Sequence, residues 1–173
     1  MGVLIATVEG SSGAAWQLAR RVSEVTGIDP LRFRRQTVRR LKAKITDLED
    51  NHILLVGKSS GASKLVDVLS TKDAIRWASN RSVVVLSIDC HRPGNNRAIY
   101  ELQNPHVRRC YSTYQRARWP RGAAIWCGSG NNTIIKQTGV NHSNIIYSAE
   151  TEDIIRDAFA YTGEGELYWE NLS

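Results

Sequence analysis

The chain of 173 residues is 42% hydrophobic and 23% charged, with 13 Gly, 4 Pro and 3 Cys, which excludes collagen-like, disordered and disulfide-scaffold classes. At this length a chain buries roughly 70% of the surface its unfolded form exposes and needs no metal or disulfide to hold a core; residues 1–173 are expected to form a single domain with an acidic tail from about 160. The net charge of +6 is uneven, with seven bases and no acid from Arg32 to Lys44, no acid from Gln103 to Ala149, and seven acids against Arg156 from Glu150 to Glu170. Solvated helix faces and a polar tail account for this, with an acidic ligand or nucleic acid as the alternative.

No apolar run approaches the roughly 20 residues that span a bilayer, and the N-terminal stretch lacks a basic region and is too short for a signal peptide. It is expected to be the first strand, Val3–Val8, of a cytoplasmic protein. Cys90, Cys110 and Cys127 are odd in number and form no Cys-x-x-Cys pair, so free thiols are expected and a zinc site is not. Ala15, Leu18, Ala19, Val22 and Val25 recur at helical spacing within Ala14–Val25, a helix ended by Gly27 and Pro30. A weak strand, Leu31–Arg35, follows. Thr37 can cap a second helix whose Val38, Leu41, Ile45 and Leu48 share a stripe and leave Arg39, Arg40, Lys42 and Lys44 outward.

The strand Ile53–Val56 leads to a helix over Ser60–Leu69 and a short one over Asp73–Ala78, then to the strand Val83–Ile88. The polar stretch His91–Trp119 is too long for a simple turn; it is expected to form part of a binding wall, with a short helix at Asn96–Leu102. A strand at Ala123–Trp126 and a closing helix from about Thr151, marked by Ile154, Ile155, Ala158 and Phe159, complete the chain. This alternation predicts an α/β three-layer sandwich around a mainly parallel sheet of five or six strands.

Gly57-Lys58-Ser59-Ser60-Gly61 joins a predicted strand to a predicted helix, and is Gly-x-Ser-x-Gly in the setting that gives the pattern meaning. The turn is tight enough to strain the serine backbone, and side chains in place of the flanking glycines would collide with strand and helix. Ser59 would project above the sheet as a nucleophile, with an oxyanion met by the Ser60 N–H at a helix N-terminus. A serine hydroxyl needs a base held by a carboxylate. His142, before the closing helix, and Asp89, at the end of Val83–Ile88, supply both in the chain order Ser, acid, His. The loop Glu9-Gly10-Ser11-Ser12-Gly13 would supply the second oxyanion donor, from Gly10 or Ser11.

On these residues the chain resembles the α/β-hydrolase superfamily, specifically its small lipase/esterase-like, cutinase-sized members, from Val3 to about Phe159. The likeness rests on Val3–Gly10, Ile53–Gly61, Val83–Asp89 followed by Arg92-Pro93, Gly139-Val-Asn-His142 and the segment Asn104–Arg116. The resemblance implies a minimal hydrolase-like sheet, Ser59 as nucleophile, His142 as general base and then acid, Asp89 as orienting carboxylate, and two-step acyl transfer from a small-molecule or lipid ester to water without metal or organic cofactor. The family often has His-Gly where Glu9-Gly10 stands, and histidine at the Lys58 position.

Each residue also has a plainer reading. Ser59 could be a buried turn serine, Asp89 a helix cap or a partner of Arg92, and His142 a turn residue; Glu101, Glu150 and Asp153 compete for the acid, and His91 for the base, while His52 and His106 are surface candidates. A protein that keeps the fold for binding or structure is the alternative function. Gly57-Lys58-Ser59 lacks the P-loop's first glycine, its place being taken by His52, so nucleotide binding is disfavoured. The run Arg108–Arg121, with Tyr111, Tyr114 and Trp119, could stack bases, but no nucleic-acid module accompanies it.

Overall fold

A computed structural model describes residues 2–10, 16–35, 38–128 and 130–163. The expected helix start at Ala14, the Thr37 cap, Ser11, residues 164–173 of the acidic tail and the side chains of Val38, Arg39 and Leu41 lie outside the described residues.

Strand β1 (Leu4–Glu9), helix α1 (Gln17–Thr26), β2 (Leu31–Arg34), α2 (Val38–Thr46), β3 (His52–Lys58), α3 (Ser60–Leu69), α4 (Lys72–Ala78) and β4 (Ser82–Ile88) follow the predicted alternation. Then come β5 (Ile99–Leu102), β6 (Val107–Tyr114), β7 (Ala124–Cys127), β8 (Asn132–Lys136), a 3₁₀ turn at Ile145–Tyr147 and α5 (Ala149–Gly163). Six strands form one sheet in the order β2-β1-β3-β4-β6-β8, and β5 and β7 form a second, two-stranded sheet. Every pairing within both sheets is parallel.

The β-strand period of two divides the core into the two halves of a three-layer sandwich. Ile5, Leu54, Val56, Val84, Leu86 and Ile88 point to one face, against Leu18 and Val22 of α1 and Ile154, Ile155 and Ala158 of α5. Ala6, Val8, Ile53, Leu55, Val83 and Val85 point to the other, against Ile45 of α2, Leu65 of α3 and Trp77 of α4, with Leu102 and Ile125 of the small sheet. Burial on both faces is why β3 and β4 read as unbroken aliphatic runs. Helix α1 stops where expected: Gly27, at φ 75°, donates its N–H to the Ser23 carbonyl at 2.9 Å, a left-handed C-cap that favours glycine. No described helix is long and apolar enough to cross a membrane.

Three sequence expectations are corrected. Residues Ile99–Leu102 are a strand, where a short helix at Asn96–Leu102 was expected. The stretch His91–Trp119 contains β6, a strand of the main sheet between β4 and β8, and the strand expected at Ala123–Trp126 forms one residue later, in the small sheet. The polarity of β6 concealed it. Its Arg108 donates to Ser82 Oγ at 2.7 Å and Arg109 to Thr133 Oγ1 at 2.9 Å, while both guanidinium groups lie about 5 Å from the centre of the Tyr161 ring on α5. The buried Ser112 hydroxyl accepts the Ile125 N–H at 2.9 Å and reaches the Ile125 carbonyl at 3.0 Å, so polar side chains here knit layers together. Strand β8, a half-exposed edge, gave no aliphatic run to find.

Candidate active site

The parallel register brings the site together. Lys58 pairs with Ile88, and Ile88 with Thr113, so Ser59 and Asp89 leave the sheet side by side at its C-terminal edge. Their amides stay tied to it: Ser59 N–H donates to the Ile88 carbonyl at 3.1 Å, and Asp89 N–H to the Thr113 carbonyl at 2.7 Å. This edge is also where the winding reverses, because α1 after β1 covers one face and α3 after β3 the other. Doubly wound sheets form their ligand crevice at such a point.

Ser59 has φ 56° and ψ −131°, a conformation that costs a non-glycine residue about 1–3 kcal/mol. Close packing of the turn enforces it. A Cβ on Gly57 would lie 2.5 Å from Ala62 Cα in α3, and one on Gly61 would lie 2.2 Å from the Val8 carbonyl oxygen in β1. Both glycines are therefore required by helix and strand, as the turn sequence predicts. Gly10 lies against the same turn: a Cβ there would meet Ser60 Oγ at 3.1 Å and Ser59 Oγ at 3.4 Å. Ser60 opens α3, where an N–H has no intrahelical acceptor. Ser11, the third expected oxyanion residue, is outside the described residues.

His142 arrives from the loop between β8 and the 3₁₀ turn. Asn141 shapes that loop, its Oδ1 accepting the N–H groups of Ser143 and Asn144 at 2.9 and 3.0 Å. Gln137 anchors its start, donating to Thr151 Oγ1 at 2.9 Å. His142 Nε2 lies 2.9 Å from Ser59 Oγ, and Nδ1 lies 2.6 Å from Asp89 Oδ2. With Nδ1–H donating to the carboxylate, Nε2 is free to accept the serine proton. The imidazole is 20% exposed and the Asp89 side chain fully buried, so the ring keeps an open face while the carboxylate stays out of water.

Asp89 is seated by residues that sequence reasoning missed. Its Oδ1 accepts the Gln115 N–H at 3.0 Å, and the buried Gln115 side chain spans from Asp89 Oδ2, at 3.4 Å, to the Pro120 carbonyl, at 2.7 Å. Gly122 leaves room for the carboxylate, since a Cβ there would fall 1.6 Å from Oδ1. Gln115 directly follows β6, and the signal that could have found it was a strand at that position. The competing residues are elsewhere: Arg92 pairs with Asp67 at 2.5 Å instead of with Asp89, Glu101, Glu150, Asp153 and His106 are exposed, and His52 faces the Thr162 carbonyl. His91 is close but differently engaged, with its ring edge-on to His142 at 6.2 Å and to Trp119 at 5.8 Å. Burial, then the neighbouring His142, hold its pKa below the ordinary imidazole value.

Of the two departures from the hydrolase pattern, Glu9 has a structural role and Lys58 is a largely buried cation. Glu9 Oε1 accepts the N–H groups of Leu18 and Ala19 at 2.9 and 3.3 Å, so a carboxylate caps the positive end of α1. Burial lowers the pKa of the Lys58 ammonium, with Asp89 and then Glu9 opposing that shift.

No protein-family model and no curated protein matches the chain. Among solved structures it is similar to the Trp repressor binding protein from Bacillus subtilis, at 10% identity, over 89% of this chain and 96% of that one, with a TM-score of 0.42. The expected place in the α/β-hydrolase superfamily is corrected by the sheet itself: β2-β1-β3-β4-β6 follow the 2-1-3-4-5 order of flavodoxin-like sheets, extended by β8. The turn around Ser59 misled because it requires only a parallel strand running into a helix packed on it, which more than one doubly wound fold provides.

Proposed function

We propose that the chain is a serine hydrolase that cleaves carboxylic esters through an acyl-enzyme on Ser59. The observation that carries this reading is the continuous hydrogen-bonded chain from Ser59 Oγ through His142 to Asp89. His142 Nε2 takes the hydroxyl proton as Oγ adds to the ester carbonyl, and the buried carboxylate stabilises the imidazolium that forms. The oxyanion is met by the backbone N–H groups of Ser60 and Gly10, the first aided by the N-terminal end of α3. His142 returns its proton to the departing alcohol, then activates the water that releases the acid. The strain at Ser59 also supports the reading, because a positive φ at a tight strand-to-helix turn is characteristic of a nucleophile held ready, and Asp89, at φ 50°, shares it.

The test is labelling with a fluorophosphonate, read by intact mass and peptide mapping on the native protein and on Ser59→Ala and His142→Ala. The expected result is one adduct on Ser59, lost in both variants. A folded native protein that takes no label would overturn the reading and leave the site to binding.

A further inference from the structure

Beside the nucleophile, a cleft of about 560 Å³ is lined by Arg35, Ser60, Lys64, Asp67, Arg92 and Pro93, among others. Its cations come from three parts of the C-terminal edge: Arg35 follows β2, Lys64 lies in the second turn of α3, and Arg92 lies in the loop after β4. Asp67 is the acid of the lining, and two cations share it, Arg92 Nη2 at 2.5 Å from Oδ1 and Lys64 Nζ at 3.3 Å from Oδ2. Arg35 has no carboxylate partner among the described residues. A positive surplus therefore faces the cleft, with the N-terminal end of α3 adding to it.

The surplus is held in position. The Arg92 guanidinium stacks 5.2 Å above the Tyr100 ring and reaches back to the Ser63 carbonyl at 3.5 Å. Ser60 connects the cleft to the chemistry, since it lines the cleft and adjoins Ser59.

We propose that this cleft is a subsite for an anionic group, so that the preferred substrate is an ester bearing a carboxylate, sulfonate or phosphate a few bonds from the scissile carbonyl. The substrate-class claim rests on the hydrolase reading, whereas the anion site can be tested without it. The same charge could be carried by the acid or by the alcohol of the ester, and the two sources are distinguishable.

Two matched pairs test the proposal. Mono-p-nitrophenyl adipate against p-nitrophenyl hexanoate puts the charge on the acyl part, and 4-acetoxybenzenesulfonate against phenyl acetate puts it on the alcohol, each rate being divided by that ester's hydroxide-catalysed rate. In at least one pair, kcat/KM is expected to favour the anionic ester about tenfold, equivalent to roughly 1.4 kcal/mol. That preference is expected to fall to near parity in Arg35→Gln/Lys64→Gln, to shrink with added NaCl, and to survive Lys44→Gln, a charge control on the exposed side of α2. Calorimetric titration of adipate into Ser59→Ala reads the anion site without turnover, and binding lost when Arg35→Gln and Lys64→Gln are added to Ser59→Ala supports it. Ester cleavage indifferent to charge, with no adipate binding, would overturn the subsite and leave the hydrolase reading standing. Adipate binding without cleavage of any ester would do the reverse.

Discussion

Replacement of Asp89 by asparagine isolates one step of the proposed mechanism, because the surroundings dictate how the new amide must lie. Oδ1 accepts the buried Gln115 N–H at 3.0 Å. Turning an NH₂ group toward that donor would leave it unsatisfied, at a cost of about 1–3 kcal/mol, so the amide oxygen keeps the Oδ1 position. The NH₂ then takes the Oδ2 position, 2.6 Å from His142 Nδ1; the weaker opposing contact is Gln115 Nε2 at 3.4 Å. A donor facing Nδ1 forces the other tautomer, in which Nε2 carries the proton toward Ser59 Oγ and cannot accept one. The shape and the hydrogen bond to Gln115 survive, but the base does not. By analogy with the same substitution in other Ser-His-Asp enzymes, kcat is expected to drop roughly 10⁴-fold, or about 5.4 kcal/mol of transition-state stabilisation. The measurement is kcat on p-nitrophenyl butyrate, with circular dichroism melting to verify the fold. A folded Asp89→Asn protein within tenfold of the native kcat would refute the argument.

Three further substitutions probe the frame of the site. Gly61→Ala forces a Cβ to within 2.2 Å of the Val8 carbonyl oxygen; backbone meets backbone, so urea unfolding is expected to show a loss of about 3 kcal/mol or more, and an unchanged midpoint would contradict the packing described. Glu9→Ala removes the acceptor of two α1 amides and should cost about 1–2 kcal/mol, seen as a Tm lowered by roughly 2–8 °C; a Tm that stays put would mean the carboxylate does not cap the helix. Lys58→Met tests the burial that lowers this ammonium pKa. Between the lowered folded value and the higher unfolded one the native state binds fewer protons, so native stability rises with pH through that window, and the penalty is fully present below it. Urea unfolding from pH 7 to 10 should find the methionine variant more stable at pH 7 and the gap closing as pH rises, whereas a gap constant with pH would count against the assignment.

The parts of the fold that could be read from sequence are those in which one residue type has one physical reason. Ile53-Leu-Leu-Val56, short and stopped by Gly57, reads as a strand covered on both faces, and Gly57 and Gly61 flank the serine because a side chain at either position collides with α3 or β1. Register then converts local order into a site. Since Lys58 pairs with Ile88, a serine one residue beyond the first and an aspartate one beyond the second become neighbours without any long-range information. The histidine was legible for a related reason, as one of few on a loop that precedes a terminal helix.

Strand β6 failed to announce itself because its side chains serve their neighbours. Arg108 and Arg109 read as solvated charge or as a nucleic-acid surface, yet their guanidinium groups are held between Tyr161, Ser82 and Thr133. Losing β6 from the sequence reading also lost Gln115, and with it the means by which Asp89 is held. The same omission bears on the family resemblance. A serine, an acid and a histidine in the right order constrain only the edge of a parallel sheet, whereas strand order is set by crossovers that those three residues do not touch. The hydrogen-bonded chain can therefore be compatible with acyl transfer even though the sheet beneath it is wound in the flavodoxin-like order, and a test at Ser59 bears on the chemistry without bearing on the fold.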